Sequence, residues 1–199
     1  MKNMDPKYII ELTLKLFITC VVVAGLLGGV NAITADKIAA INLENTQKAM
    51  TKVVAEGSTF TDALEITSEM EAAAASAGAT VTEAYGVEAD GAAAGHVLKI
   101  VASGSQGAIE MMVGVDAAGS VTGVSVVKNA ETAGIGSKVM DNEPNVKGVP
   151  VLDQFIGKSA ADGTLNVGSN VDAITGATVS TKGVTTGVNA AIAVAGVMG

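Results

Sequence analysis

Ala108-Ile109-Glu110-Met111-Met112-Val113-Gly114-Val115, closed by Asp116-Ala117-Ala118-Gly119 and followed by a run from Val121 to Val127, is the stretch that decides the fold. Both runs are of strand length and rich in β-branched or apolar residues. The compact Asp/Gly loop between them suits an antiparallel connection. Gly107 marks the turn on the upstream side, and two runs of the same kind precede it, Thr80 to Val87 and His96 to Ala102. Together they suggest an antiparallel meander. Helical stretches surround it. Asn42 to Ala55 reads as a helix, and Phe60 to Ala77, rich in alanine and glutamate, as another, with Glu65, Glu69 and Glu71 on a solvated face. A short helix is expected over Gly136 to Met140 and another from near Pro150. Val179 to Val197, with few charges and regular apolar positions, gives the last. The fold class expected is α+β, an antiparallel sheet with flanking helices.

The front of the chain is different in kind. Leu12 to Ala32 carries a single charge, Lys15, and its 21 residues are enough to span a bilayer. Lys2, Lys7 and Lys15 precede or open it, partly offset by Asp5 and Glu11, and Asp36 and Lys37 follow. That lysine bias puts the N-terminus in the cytoplasm and the remainder outside. Val30-Asn31-Ala32 resembles a signal-peptide cleavage site, but the apolar stretch exceeds a usual signal core and continues into a helix from Thr34 to Ala55, which favours an uncleaved anchor. The organisation expected is residues 1–33 as cytoplasmic N-terminus and transmembrane anchor, 34–79 as a helical connector and 80–199 as the main domain.

Composition narrows the function. The 199 residues carry a net charge of −8, and every basic residue is lysine. Nucleic-acid binding usually needs basic, arginine-rich surfaces, so it is not expected. Cys20 is the one cysteine and lies inside the apolar span, which leaves no intrachain disulfide and no cluster held by several cysteines of this chain. His96 is the one histidine and reads as a surface or loop-edge residue; no metal site and no catalytic residue is expected. No Ser-His-Asp arrangement has a supporting motif, so hydrolysis is not indicated.

Chemistry concentrates in Asp172-Ala173-Ile174-Thr175-Gly176-Ala177-Thr178, a D-x-x-[S/T]-G-A-T pattern. Elsewhere Gly78-Ala79-Thr80 repeats the tripeptide alone, with Ala74 and Ala77 where the aspartate and first threonine would stand. A helix following the motif puts Thr178 at or near its N-terminus, where free N–H groups and the positive dipole end favour a phosphate. Lys182 lies one turn on, on the same face, and is a candidate counter-ion. The plain alternative is that Thr175 or Thr178 caps the helix. About 40 residues upstream lies Glu131-Thr132-Ala133-Gly134-Ile135-Gly136, which on its own reads as a glycine-containing turn.

The first of these patterns is similar to the signature by which a family of bacterial respiratory subunits receives FMN as a covalent phosphoester on the final threonine. The second resembles the E-T-P-G-L-G loop of the same family, which lies against the flavin, with Ala133 in place of proline and Ile135 in place of leucine. Gln106 to Asp116 looks like the core hairpin of that family's FMN-binding domain. The resemblance covers most of residues 80–199 plus the anchor, and points to the G subunits of the Rnf ferredoxin:NAD⁺ oxidoreductase complexes.

It implies an extracytoplasmic FMN-binding domain on a single transmembrane helix in the cell membrane, with FMN on Thr178. Asp172, Thr175, Gly176 and Ala177 would present or hold the phosphate segment. Glu131, Thr132, Gly134 and Gly136 would form the loop near the ring. The implied role is electron relay on the outer side of the membrane, coupled to Na⁺ or H⁺ translocation. Multi-span and iron–sulfur subunits would be its partners and an FMN transferase would mature it. The related C subunit of the Na⁺-translocating NADH:quinone oxidoreductase, a membrane-anchored flavoprotein of extracellular electron transfer, and a cofactor-free extracytoplasmic domain remain as alternatives.

Overall fold

A computed structural model describes residues 6–198; Lys2 and Asp5 of the charge argument lie outside them. Contacts divide the chain into two compact units, Met1–Glu44 and Asn45–Gly199. Among the described residues the first is one stretch of helix. α1 runs unbroken over Pro6–Lys52, through Val30-Asn31-Ala32, and is long and apolar enough to cross a membrane by length and composition. At 1.5 Å per residue its 47 residues extend about 70 Å, more than twice the ~30 Å hydrocarbon core of a bilayer. Its apolar residues face outward along the first unit, with Leu26 and Leu27 exposed by two-thirds. Several polar groups among them are satisfied locally. Thr13, Thr19 and Thr34 hydroxyls donate to the carbonyls of Ile9, Lys15 and Val30, and Lys15 Nζ sits 2.6 Å from Glu11 Oε1. Self-satisfaction of this kind is what hydrocarbon demands of a helix. The helix fits a membrane anchor.

The second unit is built on five antiparallel strands in sequential order: β1 Thr59–Ala63, β2 Ala79–Ala89, β3 Ala92–Ser103, β4 Ala108–Asp116 and β5 Val121–Lys128. All four strands expected from the sequence are present, joined as a meander. Side-chain alternation splits their residues between two faces. Leu98, Ile100 and Ala102 of β3 and Ile109, Met111, Val113 and Val115 of β4 belong to the larger cluster, while Val97 and Met112 point the other way. In β2 the period slips at a bulge between Val81 and Glu83. Val81 and Ala84 therefore share the larger core although their spacing is odd, and Val87 falls on the opposite face.

Each face has its own cover. The last turn of α1 supplies Ala49 and Met50 to the smaller cluster, and Val53, just past its end, joins them. The larger one is closed by α2 Ser68–Ser76 and α4 Thr178–Met198. α4 approaches closely because its buried stripe is small: a Cβ on Gly183 would lie 2.6 Å from the Ser103 carbonyl oxygen. The buried hydroxyls of Thr181 and Thr185 donate back to the carbonyls of Ala177 and Thr181 at 3.0 and 2.8 Å, which lets polar residues face a core.

Three expectations are corrected. Phe60 to Ala77 is not one helix. Its first part is β1, which pairs with β2 through Phe60↔Val87, and only Ser68–Ser76 is helical, capped by the Thr67 side chain at Met70 N. Phe60 and Thr59 suit a strand, and the alanine run helps a helix only after the cap. Glu65 accordingly lies on the connection, leaving Glu69 and Glu71 on the helix. The helix near Pro150 reduces to a single 3-10 turn, Asp153–Phe155. His96 is no loop-edge residue but sits inside β3, half-buried, with Nδ1 buried and without a hydrogen-bond partner among the described residues. Burial holds its pKa below the ordinary 6.5.

Between α3 (Ser137–Met140) and α4 the chain is mostly irregular, yet it is tied down. Leu152, Phe155, Leu165, Val171 and Ile174 plug the core, and side-chain amides replace missing backbone partners. Asn189 on α4 brackets Leu165, accepting from its N–H at 3.0 Å and donating to its carbonyl at 2.9 Å.

Candidate functional site

The two sequence motifs adopt the same local geometry. In Ile174-Thr175-Gly176-Ala177 the Ala177 N–H donates to the Ile174 carbonyl at 2.9 Å, with Gly176 at φ +84°. In Thr132-Ala133-Gly134-Ile135 the Ile135 N–H donates to the Thr132 carbonyl at 3.2 Å, with Gly134 at φ +75°. A positive φ at the third residue of such a turn is the type II pattern, and it calls for glycine. Ala133 then occupies the second position, where proline is favoured. The second loop is further tied by Ser137, whose N–H also donates to the Thr132 carbonyl and whose hydroxyl accepts from Gly134 N–H at 2.8 Å.

After the first turn the chain enters α4 with Thr178 as its first residue. Ile174 and Ala177 are buried, anchoring the segment, while Thr175, Gly176, Thr178 and Val179 are exposed. The N–H groups of Thr178, Val179 and Ser180 have no hydrogen-bond partner among the described residues. An exposed hydroxyl beside three free first-turn donors suits a phosphate ester. Asp172 is held twice: Gln154 brackets its backbone, and Lys147 Nζ lies 2.8 Å from its Oδ2. Lys182 is exposed one turn beyond Thr178 and makes no ion pair among the described residues. It borders a shallow polar cleft of about 450 Å³ with Asn166, Thr185 and Asn189.

The motifs meet at one contact. Glu131, half-buried, accepts through Oε2 from the Ser180 hydroxyl on the first turn of α4. Its Oε1 accepts from the N–H groups of Ser105 at 2.7 Å and Gln106 at 3.2 Å, in the turn between β3 and β4. Thr132, Gly134 and Gly136 are therefore carried to the start of α4. Exposed aliphatic side chains flank the junction, Ile135 beside Gly136 and Val179 beside Ser180. Ser180, Gln154, Lys147 and Ser105 were not singled out in the sequence, and Gln106 was named there just as the start of the hairpin. They act through contacts 18 to 49 residues away in the chain, or on a backbone group, and no local pattern announces them.

Comparison with known proteins agrees with this geometry. Residues 104–193 match the FMN-binding domain family, spanning both motifs and the β3–β4 turn. The chain is 33% identical to the G subunit of the Na(+)-translocating ferredoxin:NAD(+) oxidoreductase complex of Acetobacterium woodii, covering 96% of this chain and 94% of the relative. The chain belongs to the family of Rnf G subunits. The G subunit of an ion-translocating oxidoreductase complex of Methanosarcina acetivorans is 28% identical over 94% of this chain and 95% of its own length. A Vibrio vulnificus protein of the same name is 32% identical over about half of each chain (51% and 49%). An apolar N-terminal helix and an FMN-binding domain are joined in this one chain.

The residues present fit FMN. The free donors suit its phosphate, and Ile135 and Val179 offer apolar surface beside them. The whole chain holds no tryptophan, two tyrosines and three phenylalanines, and the large apolar side chains exposed at the junction are the aliphatic Ile135 and Val179.

Proposed function

We propose that this chain is the membrane-anchored flavoprotein component of an Rnf-type complex. It carries one FMN as a phosphoester on Thr178 and relays electrons on the outer side of the membrane, between the ferredoxin and NAD⁺ branches, with Na⁺ or H⁺ as the coupled ion. The observation that carries this reading is the placement of Thr178, exposed at the first position of α4, with unpartnered N–H groups beside it and the Glu131–Gly136 loop fastened to the same turn. FMN, when bound, supplies the electron-accepting and electron-donating chemistry. The protein supplies placement.

Thr178 Oγ1 would form the bond to the FMN phosphorus as a phosphoanhydride bond of a flavin dinucleotide donor breaks and its nucleoside monophosphate leaves. The hydroxyl proton passes to a base that a separate FMN transferase provides, since a threonine hydroxyl is a poor nucleophile alone. Asp172, Thr175, Gly176 and Ala177 present that hydroxyl. The Glu131–Gly136 loop borders the ring, and Lys182 contributes positive charge one turn from the ester. Because a covalent link retains the cofactor in either redox state, it suits a domain outside the cytoplasm, where lost FMN is not replaced. The sidedness rests on Lys2, Lys7 and Lys15, which precede or open the apolar stretch, and multi-span and iron–sulfur subunits are the expected neighbours.

The test is made in the assembled complex. With Thr178→Ala, the complement of subunits is expected to stay unchanged while ferredoxin-to-NAD⁺ electron transfer falls to background. Full transfer through an assembled Thr178→Ala complex would refute the relay.

A further inference from the structure

Glu131 is the residue of the upstream motif most easily taken for a flavin ligand. Its hydrogen bonds point elsewhere. Oε1 already accepts two backbone N–H groups, from Ser105 and Gln106, and Oε2 accepts the Ser180 hydroxyl. Two glycines make room for this carboxylate. A Cβ on Gly104 would collide with Oε1, and one on Gly136 would collide with Oε2 and lie 2.8 Å from Ser180 Oγ. Three segments thus converge on one side chain: the β3–β4 turn, the 131–136 loop and the first turn of α4.

We propose that Glu131 and Ser180 form a positioning pair that fixes the 131–136 loop to the helix turn carrying Thr178, with Glu131 acting as a clip that does not touch the flavin. On an α-helix Ser180 stands about 200° around the axis from Thr178. Accordingly Ser180 is buried and Thr178 exposed. The clip grips the inner side of the turn whose outer side presents the hydroxyl, so it sets the loop's distance from Thr178 without contacting the ester. Ile135, next to Gly136, and Val179, next to Ser180, are the apolar residues whose separation the clip determines.

This inference rests on the proposed attachment at Thr178, and its test has one arm that does not. In the full-length unloaded chain carrying Thr178→Ala, adding Glu131→Ala should speed hydrogen exchange at the Ser105 and Gln106 amides by roughly tenfold, the worth of one ordinary hydrogen bond. Glu131→Gln keeps an oxygen for those amides and a donor for Ser180, so exchange should stay near the parent value.

In the full chain matured with the transferase, intact mass should show the flavin present in Glu131→Ala, Ser180→Ala and Glu131→Gln alike. Flavin fluorescence anisotropy and visible circular dichroism should fall in the two alanine variants and recover in Glu131→Gln. Ser180→Ala covers the case in which Glu131→Ala does not fold. Loss of the flavin signals in Glu131→Gln to the level of Glu131→Ala, with amide exchange near the parent, would mean that the carboxylate meets the flavin and would overturn the clip. Unchanged signals in every variant would overturn positioning. An unmodified wild-type chain would remove the flavin part, while the exchange arm would still report the clip itself.

Discussion

Gln154 brackets Asp172: its Oε1 accepts from the Asp172 N–H at 2.8 Å and its Nε2 donates to the Asp172 carbonyl at 2.9 Å. A single amide side chain thereby does for the motif's first residue what a neighbouring strand would do. Among the described residues the Asp172 carboxylate is held only by Lys147, an ion pair with both partners substantially exposed. Gln154→Ala strands two part-buried backbone groups and should cost about 1–3 kcal/mol in urea unfolding. Lys147→Ala should stay within ~1 kcal/mol of wild type. Equal effects of the two substitutions would contradict this assignment.

Ala133 stands at the second position of the Thr132–Ile135 turn, and its N–H makes no hydrogen bond among the described residues. Ala133→Pro should therefore lose nothing in the folded chain while restricting the unfolded one. A gain of about 0.4–1 kcal/mol is expected in unfolding free energy. A loss of stability would show that the backbone here is not in the type II form.

Glu83 gives a titratable test of the sheet. Burial favours its neutral form, but hydrogen bonds from Lys99 and Tyr85 and the Lys99 charge prevail, holding its pKa below the ordinary 4.5. A depressed carboxylate contributes stability above its unfolded pKa and loses it as pH falls through the folded one. The urea midpoint should drop as pH falls below about 4.5, and in Lys99→Met that acid limb should flatten. Burial and then the hydrogen bond to Glu83 push Tyr85 up to about 12, so a second, alkaline loss is expected as pH rises from 10.0 through that value. Tyr85→Phe should remove the alkaline loss. Parallel pH profiles for wild type and Lys99→Met would discard the pairing.

Much of this was legible in the residues. The strands from Thr80 to Val127 and the helix from Thr178 follow from period and turn chemistry, both of which act locally. β1 was hidden because its five residues stand before an alanine-rich helix, and only pairing with β2 makes Thr59–Ala63 a strand. The irregular chain from Asn142 to Ile174 could not be read either. Its shape depends on Asn142, Gln154 and Asn189, whose amides bond backbone 10 to 24 residues away in the chain. At the site, the motifs named Thr178 and Glu131. Their junction at Ser180 spans 49 residues and is set by packing α4 on the sheet.

The attachment of FMN at Thr178 is the claim on which the functional account stands. Intact mass of the full chain, produced with the FMN transferase beside its Thr178→Ala variant, tests it most directly. The expected result is a gain of about 438 Da, FMN less water, in wild type and none in the variant, as ester formation on that hydroxyl requires. An unmodified wild-type chain, under conditions in which a known acceptor is labelled, or the same gain in both proteins, would contradict it.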